Sequence, residues 1–145
     1  MCGIFGVVSS REVSQLILQG LRKLEYRGYD SAGLATIQNS KNSQFGELVT
    51  RKSKGKLKNL SNLIQKQPIE GHLGIGHTRW ATHGKPNEIN AHPHVDYTGQ
   101  IAVVQNGIIE NYRDLSKGLQ LKGIEFTSET DTEIIPHLIG LEIEN

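Results

Sequence analysis

One cysteine, one tryptophan and one methionine stand among the 145 residues. A lone thiol cannot close an internal disulfide, so the sequence reads as that of a cytoplasmic protein in a reducing compartment. Sixteen basic residues against fifteen acidic ones leave a formal net charge of +1. That balance removes any general electrostatic reason to expect nucleic acid or an anionic membrane as a partner. No apolar run approaches the ~18 residues of a membrane span. The stretch from Ile4 to Val8 is too short for a signal-peptide core, because Ser9, Ser10 and Arg11 follow at once. There are six histidines, but neither His92 and His94 nor His77 and His83 has zinc spacing, and no second cysteine exists. No metal and no cofactor is expected. The glycine-rich stretch Gly71-His72-Leu73-Gly74-Ile75-Gly76 has the wrong order for a dinucleotide fingerprint. Arg51, Lys52, Lys54, Lys56 and Lys58 have no interleaved aromatic residue, so they read as a solvated loop and helix start.

What is present is a mixture of periods. Ile4 to Val8 reads as a buried strand. Val13, Leu16, Ile17, Leu21 and Leu24 recur at helical spacing from Arg11 to about Glu25, with Ser10 as the expected cap. Gly33–Ile37 and Glu47–Arg51 are expected to pair through the polar loop 39–43. Leu57, Leu60, Leu63 and Ile64 mark a second helix, closed near Pro68. Leu73–Thr78 and Ile101–Gln105 are further strands. Tyr112, Leu115 and Leu119 mark a third helix ending near Gly123. Ile134, Ile135, Leu138 and Ile139 mark a fourth, which needs Pro136 in its first turn. Helices and strands do not alternate strictly, which favours α+β over a doubly wound sheet, in one domain spanning 1–145. The chain closes in mid-helix by this periodicity.

Cys2 carries two readings. A free cysteine is commonly a small buried hydrophobe. Yet if Met1 is removed, thiol and α-amine share one residue. The amine, with a pKa of roughly 7.7–8.0, is then a base at neutral pH, and the nucleophile carries its own proton acceptor.

A thiolate attacking a carboxamide also needs oxyanion donors, groups that hold the substrate's ends, and a way to exclude water. Asn106-Gly107 after a strand is an ordinary turn signal. It also offers a side-chain N–H₂ beside a backbone N–H that a ligand can approach closely. Within His77-Thr78-Arg79-Trp80-Ala81-Thr82-His83-Gly84, Arg79 could fork onto an α-carboxylate, and Trp80 is a candidate lid. Ser128-Glu129-Thr130-Asp131-Thr132-Glu133 is an acidic helix start, explicable by capping and the helix dipole. The functional alternative gives Asp131 to an α-ammonium.

In order, Cys2-Gly3-Ile4-Phe5-Gly6, Tyr26-Arg27-Gly28-Tyr29-Asp30-Ser31-Ala32-Gly33, the arginine-tryptophan stretch, Asn106-Gly107-Ile108-Ile109-Glu110-Asn111 and the acidic start resemble the class II glutamine amidotransferases. The resemblance is strongest to the glutaminase domain of the glucosamine-6-phosphate synthase type. It implies an N-terminal nucleophile hydrolase with an αββα four-layer sandwich. It implies hydrolysis of L-glutamine through a Cys2 thioester, Asn106 and Gly107 holding the oxyanion. Arg79, with Thr82 and His83, would take the substrate carboxylate, and Asp131 its ammonium. Trp80 would close over the site, and Arg27 would organise it. The ammonia acceptor would be a sugar-phosphate isomerase domain, which these 145 residues do not contain, and the full-length enzyme would be a homodimer. A non-catalytic fragment that binds glutamine weakly or pairs with a complementary chain is the rival reading. Gln105 stands where the family commonly has histidine, and the family's domain continues past the acidic helix.

Overall fold

The computed structural model describes residues 2–40, 43–80 and 84–144, with only the backbone of residues 43–45. Strands β1 (Gly3–Val8), β2 (Ser31–Ser40), β3 (Ser43–Lys54) and β4 (Leu73–Arg79) form an antiparallel sheet in the order β1-β4-β2-β3. A second ribbon pairs β5 (His94–Val95) with β6 (Ala102–Val103). The four helices are α1 (Ser14–Leu24), α2 (Leu57–Lys66), α3 (Tyr112–Leu121) and α4 (Ile134–Glu144).

The layers follow from which faces are apolar. Helix α1 lies on β1 and β4, and α2 lies on β3. Ile17, Leu18, Leu21, Leu34, Leu57, Leu60 and Ile64 meet there in one buried cluster. Full burial of one such side chain is worth about 1.5–3 kcal/mol relative to exposure. The glycine-rich stretch has its explanation here. A β-carbon at Gly76 would lie 2.4 Å from Ile17 Cγ2, so a bare backbone lets α1 settle onto β4. On the sheet's other face, Ala35, Ile37 and Ile75 look across a small cavity to Gln100 and Ala102. Beyond the ribbon lies α4, packed with α3 around Leu119, Ile124 and Ile134. The order is helix, sheet, sheet, helix, an α+β architecture.

Several expectations shift. Helix α1 begins with Val13 as its cap residue, three residues later than Ser10, and no side chain caps it. The N–H groups of Ser9 and Val13 donate to the carbonyls of His72 and Gly71, so strand-like pairing to the 71–72 loop continues before the helix can start. β2 and β3 are about twice their expected length, and the basic run falls partly in β3, where Ser53 is buried and Lys52 half-buried. Ile101–Gln105 contributes only two strand residues, and its partner β5 has no period long enough to be read in sequence. Pro136 does sit in the first turn of α4. No side chain caps the short turn that opens the acidic start; instead the Glu133 carboxylate reaches back and accepts from the N–H and hydroxyl of both Thr127 and Ser128.

Candidate active site

The register of the large sheet decides where the site falls. Gly3 and Ala32 both pair with Thr78, and Ser31 pairs with Arg79. The start of β1, the start of β2 and the end of β4 therefore share one edge, and Cys2 lies one residue beyond it. A cavity of about 390 Å³ opens there. It is lined by Cys2, Arg27, Arg79, Trp80, Asn106, Gly107 and Asp131, together with His92, Gln105, Ile108, Thr130 and Thr132. Thus seven of the nine residues singled out from sequence meet in one space. The other two, Thr82 and His83, lie outside the described residues.

The backbone carbonyl of Cys2 accepts from two side chains, Arg27 Nε at 3.2 Å and Asn106 Nδ2 at 3.1 Å. Two donors on one oxygen fix the residue that carries the thiol. The Trp80 N–H donates to Cys2 Sγ at 3.2 Å, so one polar hydrogen already faces the sulfur. Tyr29 meets the Trp80 ring edge-on, with centroids 5.3 Å apart.

Arg79 is 4% exposed, and its guanidinium donates to the carbonyls of Lys85 and Gly84 at 3.3 and 3.4 Å. Burial lowers its pKa, opposed by the negative charge of Cys2, Asp30, Asp131 and Glu129. Asn90 braces the same loop. Its amide donates to Lys85 O and to the Glu129 carboxylate, and its carbonyl accepts from Glu129 N–H. Across the cavity, Asp131 Oδ2 accepts from Ile109 N–H at 2.6 Å and Thr132 Oγ1 donates to Gln105 Oε1 at 2.8 Å. Gln105 therefore ties the Asn106-Gly107 loop to the acidic turn.

Three histidines fill the layer behind the cavity. The ring centroids of His77 and His92 are 4.2 Å apart, and those of His92 and His94 are 4.6 Å apart. Burial lowers the pKa of His77 to about 4 and that of His94 to about 3, and that of His92 falls below both. All three are neutral at pH 7. Among the described residues, no group of three or more His, Cys, Asp or Glu is arranged to hold a metal ion. Sequence reasoning raised these histidines only as metal candidates. Their shared layer was invisible, because β5 is too short to announce itself.

A thiol, two amide-type donors, an arginine and a carboxylate thus converge on one cavity, an arrangement suited to acyl transfer from a zwitterionic amide. Together with the helix–sheet–sheet–helix order, it is the architecture of an N-terminal nucleophile hydrolase. The sequence profile of the glutamine amidotransferase domain matches residues 64–142, more than half of the chain, and the chain belongs to that family. A glutamine–fructose-6-phosphate aminotransferase (isomerizing) of Thermosynechococcus vestitus is 59% identical over 140 residues, covering 97% of this chain and 21% of the relative. That of Clostridium perfringens is 52% identical over 139 residues, covering 96% and 22%. The chain thus spans about one fifth of the curated relatives it matches. Among solved structures, the glutamine phosphoribosylpyrophosphate amidotransferase of B. subtilis, complexed with ADP and GMP, superposes with a TM-score of 0.77 at 26% identity. It covers 97% of this chain and 29% of that one. A structure described as the allosteric regulatory enzyme of purine biosynthesis gives the same TM-score at 27% identity.

Proposed function

We propose that the chain hydrolyses the side-chain amide of L-glutamine to glutamate and ammonia, as the ammonia-supplying part of an enzyme that makes glucosamine 6-phosphate from fructose 6-phosphate. The supporting observation is the placement of Cys2 Sγ in a cavity shared with Asn106, Arg79 and Asp131. Removal of Met1 frees the α-amine, which takes the thiol proton. The thiolate attacks the amide carbon, and the carbonyl π electrons move onto oxygen. The second hydrogen of Asn106 Nδ2 and the Gly107 N–H stabilise that oxyanion. Collapse of the adduct breaks the C–N bond, and the leaving nitrogen takes the proton held by the amine. Water then adds to the thioester, and the C–S bond breaks to give glutamate and the free thiol. Arg79 and Asp131 hold the substrate's carboxylate and ammonium, so the amide is delivered in one orientation.

Residues 1–145 act in this reading as a glutamine amidotransferase domain in the cytoplasm, and the acceptor chemistry belongs to a sugar-phosphate isomerase domain outside them. Support for the compartment comes from the lone thiol, and among the described residues no helix is long and apolar enough to cross a membrane. Glutamate release from glutamine by wild type and Cys2→Ala tests the reaction. Wild-type turnover that disappears in Cys2→Ala, with an unchanged unfolding midpoint, is the expected result. Equal turnover in both proteins would overturn it.

A further inference from the structure

The structure assigns His77 as the positioning residue that turns the side-chain amide of Asn106 so that its N–H₂ faces Cys2. The inference rests on the glutaminase reading for its kinetic consequence, but its geometry stands independently. An amide's two ends are distinguished by their partners. Here one end lies 3.1 Å from the backbone carbonyl of Cys2, an oxygen that can only accept. That end must therefore be Nδ2. The other end, Oδ1, then lies 2.9 Å from His77 Nε2, which must carry a proton and donate it.

His77 is built to hold that arrangement. It lies in β4 between Ile4 and Gly33 of the neighbouring strands, and it is 0% exposed. Its ring lies against His92, the two planes inclined at 49°. With a pKa near 4 it carries one ring proton at neutral pH, and the Asn106 carbonyl keeps that proton on Nε2.

The opposite tautomer would set two lone pairs against each other across 2.9 Å. Asn106 would then relieve the clash by flipping, which aims its carbonyl at the carbonyl of Cys2. The same flip replaces a donor to the oxyanion with a repelling oxygen. Loss of one oxyanion donor costs about 10²–10³ in kcat. Because Asn106 does not hold the substrate's ends, KM changes little.

The test is a long-range ¹H–¹⁵N imidazole spectrum of the full chain at pH 7, with the Asn106 side-chain amide identified from Asn106→Asp. His77 is expected as the Nε2–H tautomer. His77→Leu should shift the Asn106 amide resonances and lower kcat for glutamine hydrolysis by about 10²–10³-fold, with KM within about threefold. His77→Gln, which restores an N–H near the Nε2 position, should recover kcat to within about tenfold. An Nδ1–H tautomer, or unmoved Asn106 resonances in His77→Leu, overturns the inference. If His77→Leu does not fold, the wild-type tautomer and the His77→Gln kinetics decide. Nε2–H with no Cys2-dependent hydrolysis would refute the glutaminase reading and leave the orientation standing. Nδ1–H with intact hydrolysis would do the reverse.

Discussion

Asp131 accepts the Ile109 N–H at 2.6 Å, so the carboxylate proposed to hold the substrate ammonium also fastens the loop that carries Asn106 and Gly107. One oxygen serves the loop, and the residue also lines the cavity. In Asp131→Asn the amide oxygen can keep the Ile109 bond, while the N–H₂ then meets an ammonium. The expected outcome is a KM for glutamine raised by about 10–100-fold, with kcat within about threefold, as for loss of a charge-assisted contact of 1.5–3 kcal/mol. Initial rates across glutamine concentrations measure both.

Arg79→Lys keeps a positive charge but loses the planar fork. The guanidinium is oriented by the carbonyls of Gly84 and Lys85, and it lines the cavity with its planar fork. A lysine has three donors and no plane, so it cannot reproduce that orientation and grip a carboxylate side-on. KM for glutamine is expected to rise at least tenfold. Substrate analogues lacking the α-carboxylate should lose their discrimination between wild type and variant.

Gly33→Ala tests how closely the sheets approach. A β-carbon there would lie 2.2 Å from the backbone carbonyl of His92, closer than any real contact, and backbone cannot swing aside as a side chain does. Destabilisation of at least about 2 kcal/mol is expected, at the high end of the cost of overpacking. Urea unfolding followed by tryptophan fluorescence gives the value.

Acid should destabilise the protein before its carboxylates titrate. His77 and His94 have folded pKa values of about 4 and 3, below the unfolded value of 6.5, and His92 lies lower still. Below pH 6.5 the unfolded chain therefore binds protons that the folded chain refuses. Stability falls as pH falls toward 4, by about 1.4 kcal/mol per pH unit for each histidine kept neutral. Glu133 acts in the same direction but later. Burial raises its pKa, yet the neighbouring His137 ring, 3.6 Å away, and hydrogen bonds from Ser128 and Thr127 overcome that and hold it well below the usual carboxylate range. Its stabilisation is present above pH 4.5 and disappears as pH falls toward its folded value. Urea midpoints at pH 7, 6 and 5 isolate the histidines, and a flat profile would contradict their burial as neutral rings.

The helices were legible because their apolar stripes are long: Ile17, Leu21 and Leu60 sit where a 3.6-residue period puts them. The site was legible through residue types, since Cys2, Arg79, Asn106 and Asp131 are chemically suited to one substrate. What sequence did not yield was whatever depends on the neighbouring sheet. β5 has two residues and no readable period, so the histidine layer looked like scattered metal candidates. Ser10 resembled a cap, but pairing of Val13 with Gly71 across 58 residues decided where α1 begins. Glu133 looked like a dipole-favoured acid, whereas its role is to collect the hydrogens of Thr127 and Ser128.

The two apolar clusters share no residue: one is gripped by α1 and α2, the other by α3 and α4. The groups the proposed chemistry uses, Cys2, Arg79, Asn106, the Gly107 N–H and Asp131, are polar and belong to neither cluster. The molecule works like a vice whose jaws are greasy and whose workpiece is wet. Repacking the jaw of α1 and α2 alters stability ahead of reactivity, whereas the jaw of α3 and α4 includes Ile109, whose N–H holds Asp131, so a change there reaches the chemistry as well.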